Sequence, residues 1–125
     1  MDIEKNFLNK SNIFAVVGVS KNKDKYGYKV FFDLLKKGYK VYPVHPQEGL
    51  VNGYLRYKDL ISLPEKPDVV SVVVPPQVAL EITKECYNLG IKKIWFQPGS
   101  ESNEALNFCK NHNIKTLSGV CIMKS

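Results

Sequence analysis

Five short apolar segments recur along the chain, and each has the length of a β-strand. Their bounds are Ile13–Val17, Tyr39–Val44, Asp68–Val74, Ile91–Phe96 and Lys115–Leu117. The first is an uninterrupted apolar run that ends at Gly18, and the third is dominated by β-branched valines. Runs of this kind are typical of strands that are buried on both faces, as in parallel sheets. The pattern therefore predicts a parallel sheet of five strands.

Helical periodicity fills the gaps between these segments. Apolar residues from Val30 to Leu35 recur at helical spacing, and Gly38 follows as a helix-terminating glycine. A second helix is predicted from Val78 to Leu89, with a proline close to its first turn and a glycine after its end. A third begins at Ser102 and runs to about His112. Over residues 50–63 the sequence predicts irregular chain followed by one or two helical turns.

The alternation of strands and helices predicts an α/β fold with a Rossmann-like, three-layer α/β/α architecture. The sheet should have right-handed crossovers and the strand order 3-2-1-4-5, which places the switch point beside the first strand. Ligands of such sheets bind at the carboxyl ends of the strands near that point. The loops that reach this edge follow Gly18, Val44, Val74 and Phe96. Residues 1–125 are assigned to a single domain.

Composition excludes some classes of function. The 125 residues carry a formal net charge of +6, but the lysines are scattered and Arg56 is the sole arginine. A nucleic-acid-binding surface usually concentrates its positive charge in a stripe or patch, so we do not expect nucleic acid as a partner. No apolar run approaches the roughly 20 residues that cross a bilayer, and the first residues lack a signal-peptide pattern. We therefore expect a cytoplasmic protein without a membrane partner.

The loop after the first predicted strand has the features of an anion site. Gly18 allows the backbone to turn tightly and to approach a ligand closely. Backbone N–H groups at the start of the next helix attract an anion, while Ser20 adds a hydroxyl donor and Lys25 a positive charge. The alternative is an ordinary turn glycine followed by solvated lysines. The position at the switch point favours the anion site.

The same region argues against two common nucleotide sites. A dinucleotide-binding loop needs the pattern G-x-G-x-x-G, and only Gly18 is present at this turn. NAD-binding proteins usually place an acid at the end of the second strand, where this chain has Val44, His45 and Pro46. The P-loop pattern is also missing from the sequence. The ligand is therefore not expected to be NAD.

The other loops at this edge offer weaker candidates. Val74, Pro75 and Pro76 end the third strand in a rigid, donor-poor apolar ledge. Such a ledge suits a flat base or an aliphatic arm, although it could equally be a plain connector. Gln97 precedes a tight turn of Pro98 and Gly99 and could exchange a hydrogen bond with a ligand.

Catalysis in this chain would have to rest on His45 or Cys121. His45 follows the second strand and could contact a ligand, but its motif contains no nucleophile or carboxylate. Cys121 follows the fifth strand and is either a small buried hydrophobe or a thiol that faces the site. The three cysteines lack C-x-x-C spacing, which argues against a disulfide framework or a zinc site. We therefore assign no catalytic residue and no metal ligand.

Several of these segments, taken together, resemble a known family. They are Ala15–Ser20, Lys25, Tyr28, Gly38–Pro46, Asp68–Pro76, Ile94–Gly99 and Cys121–Ile122. In this order they resemble the small stand-alone CoA-binding domain proteins, and also the CoA-binding Rossmann domain of the succinyl-CoA synthetase α subunit. The resemblance extends over nearly the whole chain.

The resemblance implies a site for coenzyme A (CoA) or an acyl-CoA at the carboxyl edge of the sheet. The implied contacts are Gly18, Val19, Ser20, Lys25, Tyr28, Pro43, Val44, His45, Pro46, Val74, Pro75 and Pro76, with Gln97, Pro98 and Gly99 as less specific matches. Lys25 stands where relatives commonly have an arginine, at the phosphate contact. His45 stands where they commonly have an asparagine, at a hydrogen bond within the loop. The catalytic phospho-histidine of the synthetase lies in another domain, so the resemblance implies binding rather than catalysis.

Three functions stay open at the level of the sequence. The first is non-catalytic binding of CoA or an acyl-CoA. The second is an enzyme of unknown reaction that uses His45 or Cys121 on a CoA thioester or a nucleotide. The third is an NAD(P)-type nucleotide-binding regulator that acts through a protein partner. A homodimer is a further alternative for the assembly.

Overall fold

A computed structural model of the chain describes residues 3–124. The helices are α1 (Ile3–Phe7), α2 (Tyr26–Lys36), α3 (Pro76–Asn88) and α4 (Asn103–Asn111), and a 3₁₀ turn spans Ile122–Lys124. The strands are β1 (Ile13–Val17), β2 (Lys40–Val44), β3 (Gly49–Val51), β4 (Tyr54–Arg56), β5 (Val69–Val72), β6 (Lys93–Phe96) and β7 (Lys115–Leu117). No helix in this part of the chain is long and apolar enough to span a membrane.

The five-stranded sheet is entirely parallel and has the order β2-β1-β5-β6-β7. The α/β fold class and the parallel sheet are therefore confirmed. The predicted strand order is wrong, because the five predicted strands lie in the order 2-1-3-4-5 rather than 3-2-1-4-5. The switch point is still beside the first strand, between β1 and β5.

The residues of β2 and β5 explain the observed order. All of β5 is buried, which suits a strand with a partner on each side, whereas β2 begins at the exposed Lys40 and contains Pro43. The Pro43 carbonyl accepts a hydrogen bond from the Tyr57 N–H at 3.0 Å, on the side of β2 that faces away from β1. The N–H that proline lacks would point to the same side, so no bond to β1 is lost. Proline in a strand is confined to such edges, and β2 is an edge strand.

Successive strand residues alternate between two hydrophobic layers, as the period of a strand requires. Phe14, Val16 and Trp95 pack on one face of the sheet, together with α1, α2 and the C-terminal turn. Ala15 and Val17 pack on the other face with α3 and α4. Helices therefore cover both faces, and the three-layer arrangement is confirmed.

The segment after β2 differs from its prediction. β3 and β4 form an antiparallel hairpin around Asn52 and Gly53, which have φ angles of 48° and 88°. Two positive φ angles are typical of the type I′ turn that Asn-Gly favours, so the dipeptide is a sequence signal for this hairpin. Residues 58–65 form bends and turns instead of the expected helical turns.

Candidate functional site

A cleft of about 440 Å³ opens at the carboxyl edge of the sheet, where β1 and β5 end side by side. Its lining comes from the β1–α2 loop, the first turn of α2, the residues after β5 and the turn after β6. The lining residues are Gly18, Ser20, Lys25, Tyr26, Gly27, Val73, Val74, Pro75, Pro98, Gly99 and Ser100. The volume falls within the roughly 300–1,000 Å³ of small-molecule sites, at the place where open parallel sheets bind their ligands.

Two glycines allow the chain to close up at the base of the cleft. Gly18 has a φ angle of 109°, and a Cβ there would lie 1.9 Å from the Val73 carbonyl oxygen. Gly27, in the first turn of α2, would place a Cβ 2.0 Å from the Gly18 carbonyl oxygen. Both positions therefore require glycine for the backbone to keep its place. Gly27 lets the helix pack directly on the strand end. One glycine of the dinucleotide fingerprint has the same role, but it stands at a different distance along the sequence from the first glycine.

The loop between Gly18 and α2 is shaped by its own polar side chains. The Ser20 hydroxyl oxygen accepts a hydrogen bond from the Asn22 N–H at 3.0 Å, and the Asn22 side chain accepts one from the Asp24 N–H at 2.9 Å. The Asn22 carbonyl in turn accepts from the Lys25 N–H at 3.0 Å. The Ser20 oxygen is used as an acceptor, which leaves its proton available for a ligand.

The start of α2 faces the cleft without a side-chain cap. Its N-cap residue is Lys25, whose side chain makes no capping hydrogen bond, and its first turn contains no acid. The N–H groups of an uncapped first turn, with the helix dipole behind them, attract an anion. The exposed Lys25 ammonium adds a positive charge at the same edge of the cleft.

The opposite wall of the cleft offers few donors. The Val74 N–H is bonded to the Ser100 hydroxyl oxygen at 3.1 Å, and Pro75 has no N–H. Pro75 is also the N-cap residue of α3, and it gives that helix no side-chain cap. Val74 and Pro75 of the predicted ledge belong to this wall together with Val73, whereas Pro76 is outside the cleft lining.

The structure brings together about half of the predicted contacts. Those that line the cleft are Gly18, Ser20, Lys25, Val74, Pro75, Pro98 and Gly99. Those outside its lining are Val19, Tyr28, Pro43, Val44, His45, Pro46, Pro76 and Gln97. The cleft adds Tyr26, Gly27, Val73 and Ser100. The sequence signals that could have indicated them are the Tyr-Gly-Tyr at the end of the predicted loop and the serine after the Pro-Gly turn. Ligand contact by each residue stays a prediction.

Burial explains why several predicted contacts lie outside the lining. Val19 and Val44 have their side chains in the hydrophobic core. The Val44 carbonyl nevertheless supports the turn, because it accepts hydrogen bonds from the N–H groups of Gly18 at 2.9 Å and Val19 at 3.2 Å. The Tyr28 ring packs against Phe32, with 4.4 Å between the ring centroids.

His45 is held by the loop in which it lies. Its backbone N–H donates to the Tyr57 carbonyl at 2.8 Å, and its Nδ1 accepts from the Gln47 N–H at 3.0 Å. Burial, and then the positive charge of Arg56, lower the pKa of the imidazole. The ring is therefore neutral at physiological pH and lies beside the cleft rather than in its lining.

Gln97 has a structural task, and it is outside the cleft lining. Its side chain is fully buried and donates to the Ser71 hydroxyl at 3.0 Å. Its side-chain oxygen accepts from the Ile122 N–H at 2.9 Å. Together with the Trp95 indole, which donates to the Val120 carbonyl at 2.9 Å, it fastens the C-terminal segment to β6.

Cys121 lines a second cavity of about 430 Å³, which shares Pro98 with the first. The hydroxyl of Tyr26 donates a hydrogen bond to the Cys121 sulfur. Burial, followed by this bond, raises the pKa of the tyrosine, which is therefore a neutral donor at physiological pH. His45 lines neither of these two cavities. Burial raises the pKa of the Cys109 thiol to about 11, so that thiol is also protonated.

A comparison with known families adds to this geometry. Residues 12–125 match the model of the family described as the CoA binding domain. The chain belongs to this family. The resemblance seen in the sequence is thereby confirmed.

Named relatives and solved structures of similar fold agree with this membership. The acetate–CoA ligase (ADP-forming) II subunit alpha of Pyrococcus furiosus is 37% identical over 81 residues, which are 64% of this chain and 18% of the ligase subunit. A conserved hypothetical protein from Pyrococcus furiosus has 42% identity and a TM-score of 0.85, over 90% of this chain and 97% of that protein. The dinucleotide-forming acetyl-coenzyme A synthetase 1 of Candidatus Korarchaeum cryptofilum has 27% identity and a TM-score of 0.74, over 93% of this chain and 27% of the synthetase. The part of this chain that matches these curated relatives thus spans about a fifth of their length.

Proposed function

We propose that this chain binds CoA or an acyl-CoA in the cleft between β1 and β5, without changing it chemically. The observation that carries the proposal is the division of this cleft, in a member of the CoA binding domain family, into a basic side and an apolar side. CoA has the same division, since it joins phosphate groups to a flat base and a largely uncharged arm.

The basic side suits the phosphates. The uncapped first turn of α2 offers N–H groups, Ser20 a hydroxyl proton and Lys25 a positive charge. Gly18 and Gly27 keep side chains away from this part of the cleft, so the backbone can approach a pyrophosphate. The residues that are present therefore fit the anionic part of CoA.

The apolar side suits the base or the arm. Val73, Val74 and Pro75 form a wall whose backbone donors are already bonded or missing, so a polar group placed there would lose its hydrogen bonds to water. An aliphatic arm or the face of a base buries apolar area against such a wall without that loss.

A protein partner would supply the chemistry that a binding module lacks. A Pyrococcus furiosus relative is named as the alpha subunit of an acetate–CoA ligase, and the matched 81 residues correspond to 18% of it. We therefore propose that the bound CoA is presented to another protein chain. Chromatography of the purified protein with light scattering distinguishes a homodimer from a monomer that awaits a different partner.

Isothermal titration calorimetry with CoA, acetyl-CoA, NAD and ATP at one salt concentration tests the proposal. We expect binding of CoA and acetyl-CoA, with NAD weaker by about tenfold or more. No heat with either CoA compound, or equal affinity for NAD, would overturn the assignment. Release of free thiol from acetyl-CoA at a rate that rises with protein concentration would show that the chain is an enzyme.

Lys25→Ala tests the position of the phosphates. Removal of a charged hydrogen-bond donor should raise the Kd for CoA by about tenfold to a hundredfold. Lys23→Ala is the matched control, because Lys23 is an exposed lysine of the same loop outside the cleft lining. Equal losses in the two variants would mean that only net charge matters and that the phosphates lie elsewhere.

A further inference from the structure

Arg56, at the end of β4, is buried with only 3% of its surface exposed. Its guanidinium donates to the Val19 carbonyl at 3.0 Å and to the Glu48 carbonyl at 3.2 Å. Its Nε has no hydrogen-bond partner among the described residues. Val19 directly follows Gly18, and Glu48 directly precedes β3. One side chain therefore connects the base of the cleft to the neighbouring hairpin.

Among residues 3–124, no acid forms an ion pair with Arg56. The ion pairs within residues 3–124 join Lys37 to Asp33 and Lys40 to Glu65, and neither includes Arg56. Burial lowers the pKa of the guanidinium, but arginine stays protonated in proteins. Taking this charge out of water costs free energy that the two carbonyl hydrogen bonds offset only in part, because no ion pair compensates it.

Other basic groups surround the same connection. The charge of Arg56 reaches His45, where it adds to burial in lowering the pKa of the imidazole. The Lys21 ammonium, from the β1–α2 loop, lies 3.6 Å from the place that a Cβ on Gly49 would take. Glu48 contributes only its backbone carbonyl, and its side chain is exposed. Arg56 therefore adds a buried positive charge next to the Gly18 turn, besides the exposed Lys21 and Lys25 of the β1–α2 loop.

We propose that Arg56 is a positioning residue for the anionic part of the ligand, because it fixes the Gly18 turn and places an unpaired positive charge next to it. The inference rests on the proposed function, in which CoA supplies the anion. The charged donor binds the Val19 carbonyl more strongly than a neutral donor would, which holds the turn in place. The buried charge also attracts an anion in the cleft, and dissolved salt screens such a charge much less than an exposed one.

The test compares the wild type with Arg56→Met and Arg56→Lys, using CoA and pantetheine as ligands in calorimetry or NMR titration. Pantetheine has the same arm but no phosphate. We expect Arg56→Met to weaken CoA on the order of tenfold and to leave pantetheine unchanged. Arg56→Lys keeps the charge but not the forked donor, so its loss should be smaller. The loss in Arg56→Met should persist at high salt, whereas the loss in Lys25→Ala should shrink.

Thr83→Ala controls for lost stability, since Thr83 is a buried polar residue of α3 outside the cleft lining. Equal weakening of CoA and pantetheine, or an Arg56→Lys variant no better than Arg56→Met, would show a purely structural role and overturn the inference. If Arg56→Met does not fold, Arg56→Lys alone is compared with the wild type. A larger loss of affinity for CoA than for pantetheine then supports the inference, and equal losses overturn it. A wild type that does not bind CoA overturns the proposed function instead. In that case an NMR titration still tests the charge, because Arg56→Met should raise the pKa of His45.

Discussion

The helices α2 and α4 both follow a strand of the same sheet, yet their first turns are built differently. At α4 the Ser102 hydroxyl accepts from the Ala105 N–H at 3.1 Å, and Glu104 places an acid in the first turn. At α2 the N-cap residue is Lys25, the side-chain cap is missing and the first turn has no acid.

The difference shows which helix start is stabilised by its own side chains and which is left without such support. A serine cap and a first-turn acid satisfy the N–H groups and the dipole of α4 within the chain itself. A lysine at the same place in α2 does neither and repels the positive end of the dipole. The start of α2 is therefore less stable by itself. An anion in the cleft would accept hydrogen bonds from its first-turn N–H groups and offset the positive end of the dipole.

The largest expected effect comes from Gly27→Ala at the second position of α2. Alanine in place of glycine usually stabilises a helix by about 1 kcal/mol. Here the new Cβ would lie 2.0 Å from the Gly18 carbonyl oxygen, so we expect the free energy of unfolding to fall by about 3 kcal/mol or more. Urea unfolding measures this change in the free energy of unfolding. Glu104→Ala at the same position of α4 is the control, with a loss within about 1 kcal/mol. A stabilised Gly27→Ala protein would mean that α2 does not rest on the strand end.

Lys25→Asp reverses the difference between the two helices. Lys25 has the extended backbone of an N-cap residue (φ −82°, ψ 149°), so aspartate can cap α2 and should add about 0.5–1 kcal/mol of stability. The same change places a negative charge where the phosphates are proposed to bind, and we expect CoA to bind about a hundredfold more weakly. Urea unfolding and calorimetry measure the two effects on one protein. Lys23→Asp makes the same change in net charge outside the cleft, and similar weakening by both variants would contradict the proposed phosphate position.

Ser102→Ala removes the cap of α4 and should have a smaller effect, confined to stability. We expect the free energy of unfolding to decrease by about 1 kcal/mol, the usual worth of a serine cap. The affinity for CoA should not change, because Ser102 is outside the cleft lining. A weaker affinity for CoA would show that the start of α4 also serves the ligand.

The smallest expected effect is a dependence of stability on pH through His45. Its pKa is lowered in the folded protein, so the unfolded chain takes up the proton first as the pH falls. Well above pH 6.5, the ordinary pKa of histidine, both states are neutral and His45 contributes nothing. Below that pH the folded state loses stability, until the folded imidazole is protonated as well. Urea unfolding from pH 8 to pH 5 should show this loss in the wild type, reduced in His45→Gln, and identical profiles would contradict it.

The elements of the sheet could be predicted because their signals are local. Apolar runs and turn residues identified all five strands of the sheet and the three long helices. The β3–β4 hairpin was missed, although the Asn52-Gly53 dipeptide is a local signal for it. The strand order was missed although Pro43 marks β2 as an edge strand. The order depends on which segments pair across long stretches of chain, and the apolar pattern of one segment contains little of that information.

The candidate site likewise combines features that the sequence predicts with contacts that only the fold creates. The sequence by itself determined the parallel sheet, the glycine turn at its edge and the apolar ledge, because backbone freedom and side-chain polarity belong to each residue. Only the tertiary structure decided that Gly27 rests on Gly18, that Gln97 faces inward and that Arg56 reaches Val19. These contacts join residues that the chain brings together from different elements, and the packing of those elements sets which polar groups are buried and which face the cleft.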